Sequence, residues 1–134
     1  MTSMRDLMDE AQRLDLAVQL AHVDREDIQA HYDDDLRLIT LDLSLTMCEV
    51  KDALAHELGH ALYGHRCSTD PNERRADRRA AQLLIDPLAY RTAELLDPDP
   101  QHIADELGVT RRIVRVWQRE WMPSVSLMKR YARA

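Results

Sequence analysis

A helix begins at Thr46, and the rest of the 134-residue chain has to be arranged around it. Thr46-x-x-Glu49 is a capping box, in which hydroxyl and carboxylate each satisfy a backbone N–H of the first turn. Val50, Leu54, Leu58, Ala61 and Leu62 then recur at helical spacing as an apolar stripe, and Gly64 is a natural stop. That stripe packs on a core. The opposite side of the helix is left to line a cleft.

The opposite side carries His56-Glu57-Leu58-Gly59-His60. Residues four apart lie one above the other on a helix, so two imidazoles can reach one ion. Zinc suits imidazole and carboxylate ligands, and a catalytic site leaves one position to water. Glu57 projects beside that water and can accept its proton. The plain alternative is a solvated helix that happens to carry two His and a Glu.

Pro71 opens a second helix that runs to about Asp86-Pro87, with Ala76, Ala80, Leu83 and Leu84 as its apolar stripe. Glu73 and Asp77 fall on the stripe's side, while Arg74, Arg75, Arg78 and Arg79 face solvent. Two carboxylates near a core need a cation or donors. A zinc ion for Glu73 and an imidazole N–H for Asp77 would satisfy both. Asp70-Pro71-Asn72-Glu73 also reads as a capping box, which would explain Glu73 without a metal. His65 is a rival third ligand, ranked behind Glu73 because the longer pattern with a third His needs Gly at 63 and His at 66. Tyr63 and Arg66 stand there.

Ahead of this pair, Ser3 caps a helix carrying Leu7, Ala11 and Leu14, and residues 16–20 read as a strand. Residues 30–32 and 36–41 flank Asp33-Asp34-Asp35 as a β-hairpin. The expectation is an α+β fold, with a small twisted sheet packed on the metal-binding helix pair. Asp97-Pro98-Asp99-Pro100 is a stiff break, dividing a unit of residues 1–98 from a helical extension of 99–134.

The formal charge of −6 is uneven: residues 99–134 hold seven basic and four acidic side chains, the basic ones including Lys129, Arg130 and Arg133. An acidic body and a basic tail imply two surfaces with different partners. Within the tail, Ile103, Ala104, Leu107, Gly108-Val109-Thr110, Val114 and Trp117 are spaced as in a helix-turn-helix. On its second helix Ile113, Trp117 and Trp121 share the buried side. Arg111, Arg115, Gln118 and Arg119 form a face suited to DNA or a partner protein, and packing on the body is the third option. The N-terminus is not a secretory signal, no stretch is long enough to span a bilayer, and Cys48 and Cys67 read as reduced thiols. These features predict a cytoplasmic protein without a membrane partner.

His56-Glu57-Leu58-Gly59-His60-Ala61-Leu62-Tyr63-Gly64-His65, with Glu73-Arg74-Arg75-Ala76-Asp77 and Leu83-Leu84-Ile85-Asp86-Pro87, resembles the ImmA/IrrE metallo-endopeptidases. These are gluzincin-like proteins of bacteria, mobile elements and phages, and the resemblance covers roughly residues 15–90. It implies His56, His60 and Glu73 as zinc ligands and Glu57 as the base. It also implies that Asp77 orients the first ligand His. Family members act on a partner regulator, often a helix-turn-helix repressor encoded alongside. The other expectation kept open is a DNA-associated regulator whose metal site is structural or sensory. Oxyanion stabilisers could come from His31, Tyr32, Tyr63, His65, Tyr90 or Arg91.

Overall fold

A computed structural model of the chain describes residues 2–23, 29–65 and 69–123. Cys67, Arg66, Lys129, Arg130 and Arg133, which entered the sequence reading, lie outside the described residues. Within them the fold is α+β, with six helices and a small three-stranded mixed sheet.

Helix α1 (Met4–Arg13) starts at the Ser3/Asp6 capping box and buries Leu7 and Ala11. Strand β1 (Ala17–Ala21) comes next, shifted one residue from its expected place. Strands β2 (Ala30–Asp33) and β3 (Leu38–Asp42) form the hairpin, antiparallel with Tyr32 opposite Ile39. The order β1-β3-β2 puts β3 in the centre, parallel to β1, and its Ile39 and Leu41 are fully buried.

Leu36 and Arg37, read as strand, belong to the turn instead. Arg37 sits at φ +52°, outside the extended region, so β3 starts only at Leu38. Asp33 accepts from the Leu36 N–H, and the Arg37 guanidinium donates to the Tyr32 hydroxyl and the Leu14 carbonyl. The turn is therefore fastened by side chains to α1's end and to β2.

Helix α2 (Met47–Leu62) has the Thr46/Glu49 capping box, and Gly64 ends it in the left-handed region at φ +67°. Leu54 and Leu58 are buried as expected, but Leu62, at the last position, is 42% exposed. The face expected to line a cleft is covered too, because helix α3 (Asp70–Leu84) packs along it. Its cap is Thr69, whose hydroxyl accepts from the Asn72 N–H, so Asp70 already lies inside the helix. The capping-box alternative for Glu73 is thereby removed.

Helix α4 (Pro87–Leu96) was not foreseen. Asp86-Pro87 reads as the end of one helix, yet it is also an N-cap followed by proline at N1, and Asp86 accepts from the Ala89 N–H. Helices α5 (Pro100–Leu107) and α6 (Arg111–Glu120) flank Gly108, at φ +66°, with Thr110 as the second cap. They do not form a separately cored unit. Ile103, Ile113, Val114 and Trp117 belong to the same buried cluster as Leu7, Leu54 and Leu84, and α6 lies on α3. The expected division at 98/99 is a bend between helices of one core. No helix among the described residues is long and apolar enough to cross a membrane.

Candidate metal centre

The centre lies where α2 and α3 touch. A Cβ on Gly59 would fall 2.9 Å from the Ala76 Cα and 3.0 Å from its carbonyl oxygen. The missing side chain lets the two backbones close together, and that closeness brings Glu73 and Asp77 to the histidines.

Glu73 spans both imidazoles, with Oε2 at 2.8 Å from His56 Nε2 and Oε1 at 3.1 Å from His60 Nε2. The two Nε2 atoms are 3.1 Å apart. Four ligands about 2.0–2.1 Å from a zinc-sized ion are separated by about 3.3 Å, so these edges suit a tetrahedral site. Asp77 Oδ1 is 2.8 Å from His56 Nδ1. Because the carboxylate accepts, His56 keeps its proton on Nδ1 and turns Nε2 toward Glu73 and His60.

His60 is held by another imidazole, its Nδ1 lying 2.9 Å from His65 Nδ1. Burial lowers the pKa of His60, and the neighbouring His56 adds to that. His65 is also lowered, by burial and then by the Arg75 charge. With the proton of this contact on His60 Nδ1, His60 Nε2 is a lone pair free to ligate. Burial alone would lower His56 as well, but the Asp77 hydrogen bond and the surrounding carboxylates raise it.

Two ring nitrogens and a carboxylate thus converge on one point that requires positive charge. A charged His56, which the Asp77 hydrogen bond and the nearby carboxylates favour, goes part of the way. A divalent cation held by His56, His60 and Glu73 meets it better, and this donor set fits one.

Glu57 is only 7% exposed, and burial pushes its carboxyl up to about 7, assisted by Glu73 and opposed by His56. A carboxyl near neutrality can both take and return a proton. For Asp77, burial acts upward but is outweighed by hydrogen bonds from His56 and Arg112, which hold it below the usual carboxylate range.

Arg112 is the residue that sequence reasoning missed. From α6 its Nη1 donates to Asp77 Oδ1 at 2.8 Å, while Nη2 and Nε grip Asp52 at 2.5 and 3.2 Å. Thr110 donates to the same Asp52 carboxylate at 2.7 Å. The signal was Asp52 itself. A carboxylate four residues before His56, on a helix buried nearly all round, needs a cation from another element.

The other candidates separate. His65 meets His60 on Nδ1, away from the three converging ligand atoms. Tyr63 stacks on His65, with Arg75 over its ring, so both stand beside the centre. The Tyr32 hydroxyl is bound to Asp34 and Arg37, and the Tyr90 hydroxyl to Glu94 and Gln118. His31 and Arg91 are exposed. Among the tail residues, Arg111 and Arg115 face solvent, Gln118 donates to Tyr90, and Arg119 pairs with Glu120.

No protein-family model matches the chain, and no curated protein does. Among solved structures it is similar to a Mycobacterium tuberculosis transcriptional regulator, with a TM-score of 0.63 and 17% identity. The likeness covers 84% of this chain and 39% of that one, so this chain spans about two fifths of that protein's length. At such identity the likeness speaks to the fold alone.

Proposed function

We propose that the chain is a zinc-dependent endopeptidase of the cytoplasm that hydrolyses a peptide bond in a partner regulatory protein. The observation that carries this reading is the convergence of His56 Nε2, His60 Nε2 and Glu73 on one point, with the buried Glu57 adjoining it in the chain. The substrate class, a helix-turn-helix repressor of a phage or mobile element, rests on the resemblance to the ImmA/IrrE metallo-endopeptidases.

A bound zinc ion would supply a Lewis acid that polarises the scissile carbonyl and makes a water more acidic. The chain supplies the rest. Glu57 takes the proton of the attacking water on its carboxylate and returns it to the departing amide nitrogen. Asp77 holds the His56 ring in the Nδ1–H tautomer, and His65 does the equivalent for His60.

Elemental analysis of the purified protein tests the centre. One zinc per chain is expected, with His56→Ala and Glu73→Ala each losing it or binding it at least ten-fold more weakly, since removing even a hydrogen-bond partner of a ligand costs ~10–100-fold. Absence of zinc from the wild type, even after metal is supplied, sinks the reading. Turnover is tested by comparing new protein N-termini in cells making the wild type and Glu57→Gln, which should keep its zinc and generate none.

A second reading is a DNA-associated regulator whose metal site is structural or sensory. Its support is the α5–α6 pair, with Arg111 and Arg115 exposed, and the similarity to a protein called a transcriptional regulator. It predicts that Glu57→Gln leaves regulation intact and that DNA binding weakens in Arg111→Ala and Arg115→Ala.

A further inference from the structure

The two histidines of the centre are anchored differently. His60 is held locally, by His65 five residues further along the chain. His56 is held through an unbroken line of side chains that ends in α6, 56 residues away in sequence. Asp77 Oδ1 lies 2.8 Å from both His56 Nδ1 and Arg112 Nη1. A single carboxylate oxygen therefore takes two donors at once, and the second fixes where it can stand.

Arg112 is itself fixed. Its other two nitrogens fork onto Asp52, one turn before His56 on α2, and Thr110 donates to that carboxylate as well. The guanidinium thus links α2 to α3 across the edge of the centre, and it is planar and multidentate where an ammonium would reach one acceptor at a time. Thr110 also caps α6, so the residue that starts the helix and the residue that grips Asp77 lie in the same turn. A basic side chain on a helix-turn-helix-like segment would ordinarily be assigned to phosphate contact. This one has both its charge partners within the chain.

We infer that Arg112 is a positioning residue of the metal centre, holding the Asp77 carboxylate against His56, so that the centre is incomplete without helix α6. The inference rests on the reading of His56, His60 and Glu73 as metal ligands.

The test is zinc affinity by chelator competition on the full chain, for the wild type, Arg112→Met and Arg112→Lys, with Arg5→Met as a charge control remote from the centre. Arg112→Met is expected to bind zinc about ten-fold more weakly, the low end of the ~10–100-fold losses for partners of ligating His, because Arg112 acts one step further out through Asp77. Arg112→Lys, which keeps the charge but not the fork, is expected to fall between, and Arg5→Met to match the wild type. A merely structural clamp is separated by the ring signals of the zinc-loaded protein. In Arg112→Lys the His56 Nδ1–H resonance should move while those of His60 and His65 stay. If Arg112→Met does not fold, Arg112→Lys carries both measurements.

Wild-type zinc affinity in Arg112→Lys with an unmoved His56 signal would overturn the inference and leave the metal centre standing. A wild type that binds no zinc would overturn the metal reading, and the inference with it.

Discussion

Glu57 is the residue whose environment is most at odds with its chemistry. Burial disfavours its charge and places its titration at about 7 in the ion-free chain. The folded chain holds that proton more tightly than the unfolded chain does. Its contribution to stability is therefore fully present below the ordinary carboxylate value and is lost as pH rises through about 7. Glu57→Gln removes the charge and keeps the shape. Zinc-stripped Glu57→Gln should outlast zinc-stripped wild type in thermal melts at about pH 8, by on the order of 2 kcal/mol, and match it near pH 4. Equal melts at both pH values would show that Glu57 ionises at no penalty and is not tuned by burial. At this scale the sequence was informative where helical spacing does the work: His56 and His60 are four apart, as are Glu73 and Asp77, and each pair lies on one face of its helix. It pointed to Arg112 only through its acceptor Asp52, because a cation's partners on two distant helices leave no periodic trace.

Among the elements, α2 and α3 decide the geometry, and Gly59 decides how closely they lie. Its neighbours are backbone atoms of Ala76, which cannot rotate out of the way as a flexible side chain would. Gly59→Ala must therefore push the helices apart at the level of the ligands. A loss of about 1–3 kcal/mol in stability is expected from overpacking, in spite of alanine's better helix propensity, together with weaker zinc binding. Melting and chelator competition check this together, and an alanine variant that matches the wild type in both would mean that the helices have slack. Capping boxes made the starts of α1 and α2 legible, and Gly64 and Gly108 made two ends legible. Helix α4 was not legible, since Asp86-Pro87 closes the α3 pattern and caps the next helix with the same two residues. That α3 meets the histidine face of α2 was legible in Glu73 and Asp77, but how closely it lies was not, because small residues such as Ala76, Ala80 and Ala81 do not announce the distance.

For the molecule as a whole, the question is whether α5 and α6 are an attachment or part of the protein's frame. The break at Asp97–Pro100 and the change from acidic to basic composition both argued for an attachment. Packing argues otherwise. Ile103, Ile113 and Val114 are fully buried, Val116 and Trp117 nearly so, all within the cluster that contains the α2 and α3 stripes. Polar links run the same way: Trp121 Nε1 donates to the Arg78 carbonyl, Arg74 pairs with Glu120, and Arg112 bridges to Asp52 and Asp77. Burying a large apolar side chain is worth about 1.5–3 kcal/mol, and a domain's entire net stability is about 5–15 kcal/mol. Before the entropy cost of ordering α5 and α6 is taken off, five such side chains, Ile103, Ile113, Val114, Val116 and Trp117, supply a sum of that size. A chain cut after Pro98 should therefore show no cooperative thermal transition and bind zinc no better than His56→Ala. Circular dichroism with heating, beside zinc competition, measures both. If the shortened chain melts cooperatively near the wild-type temperature and keeps its zinc, the first 98 residues are a self-sufficient unit. Loss of both would instead mean that any partner drawing α6 away from α3 also opens the metal centre, since Arg112 reaches Asp77 only while that helix is seated.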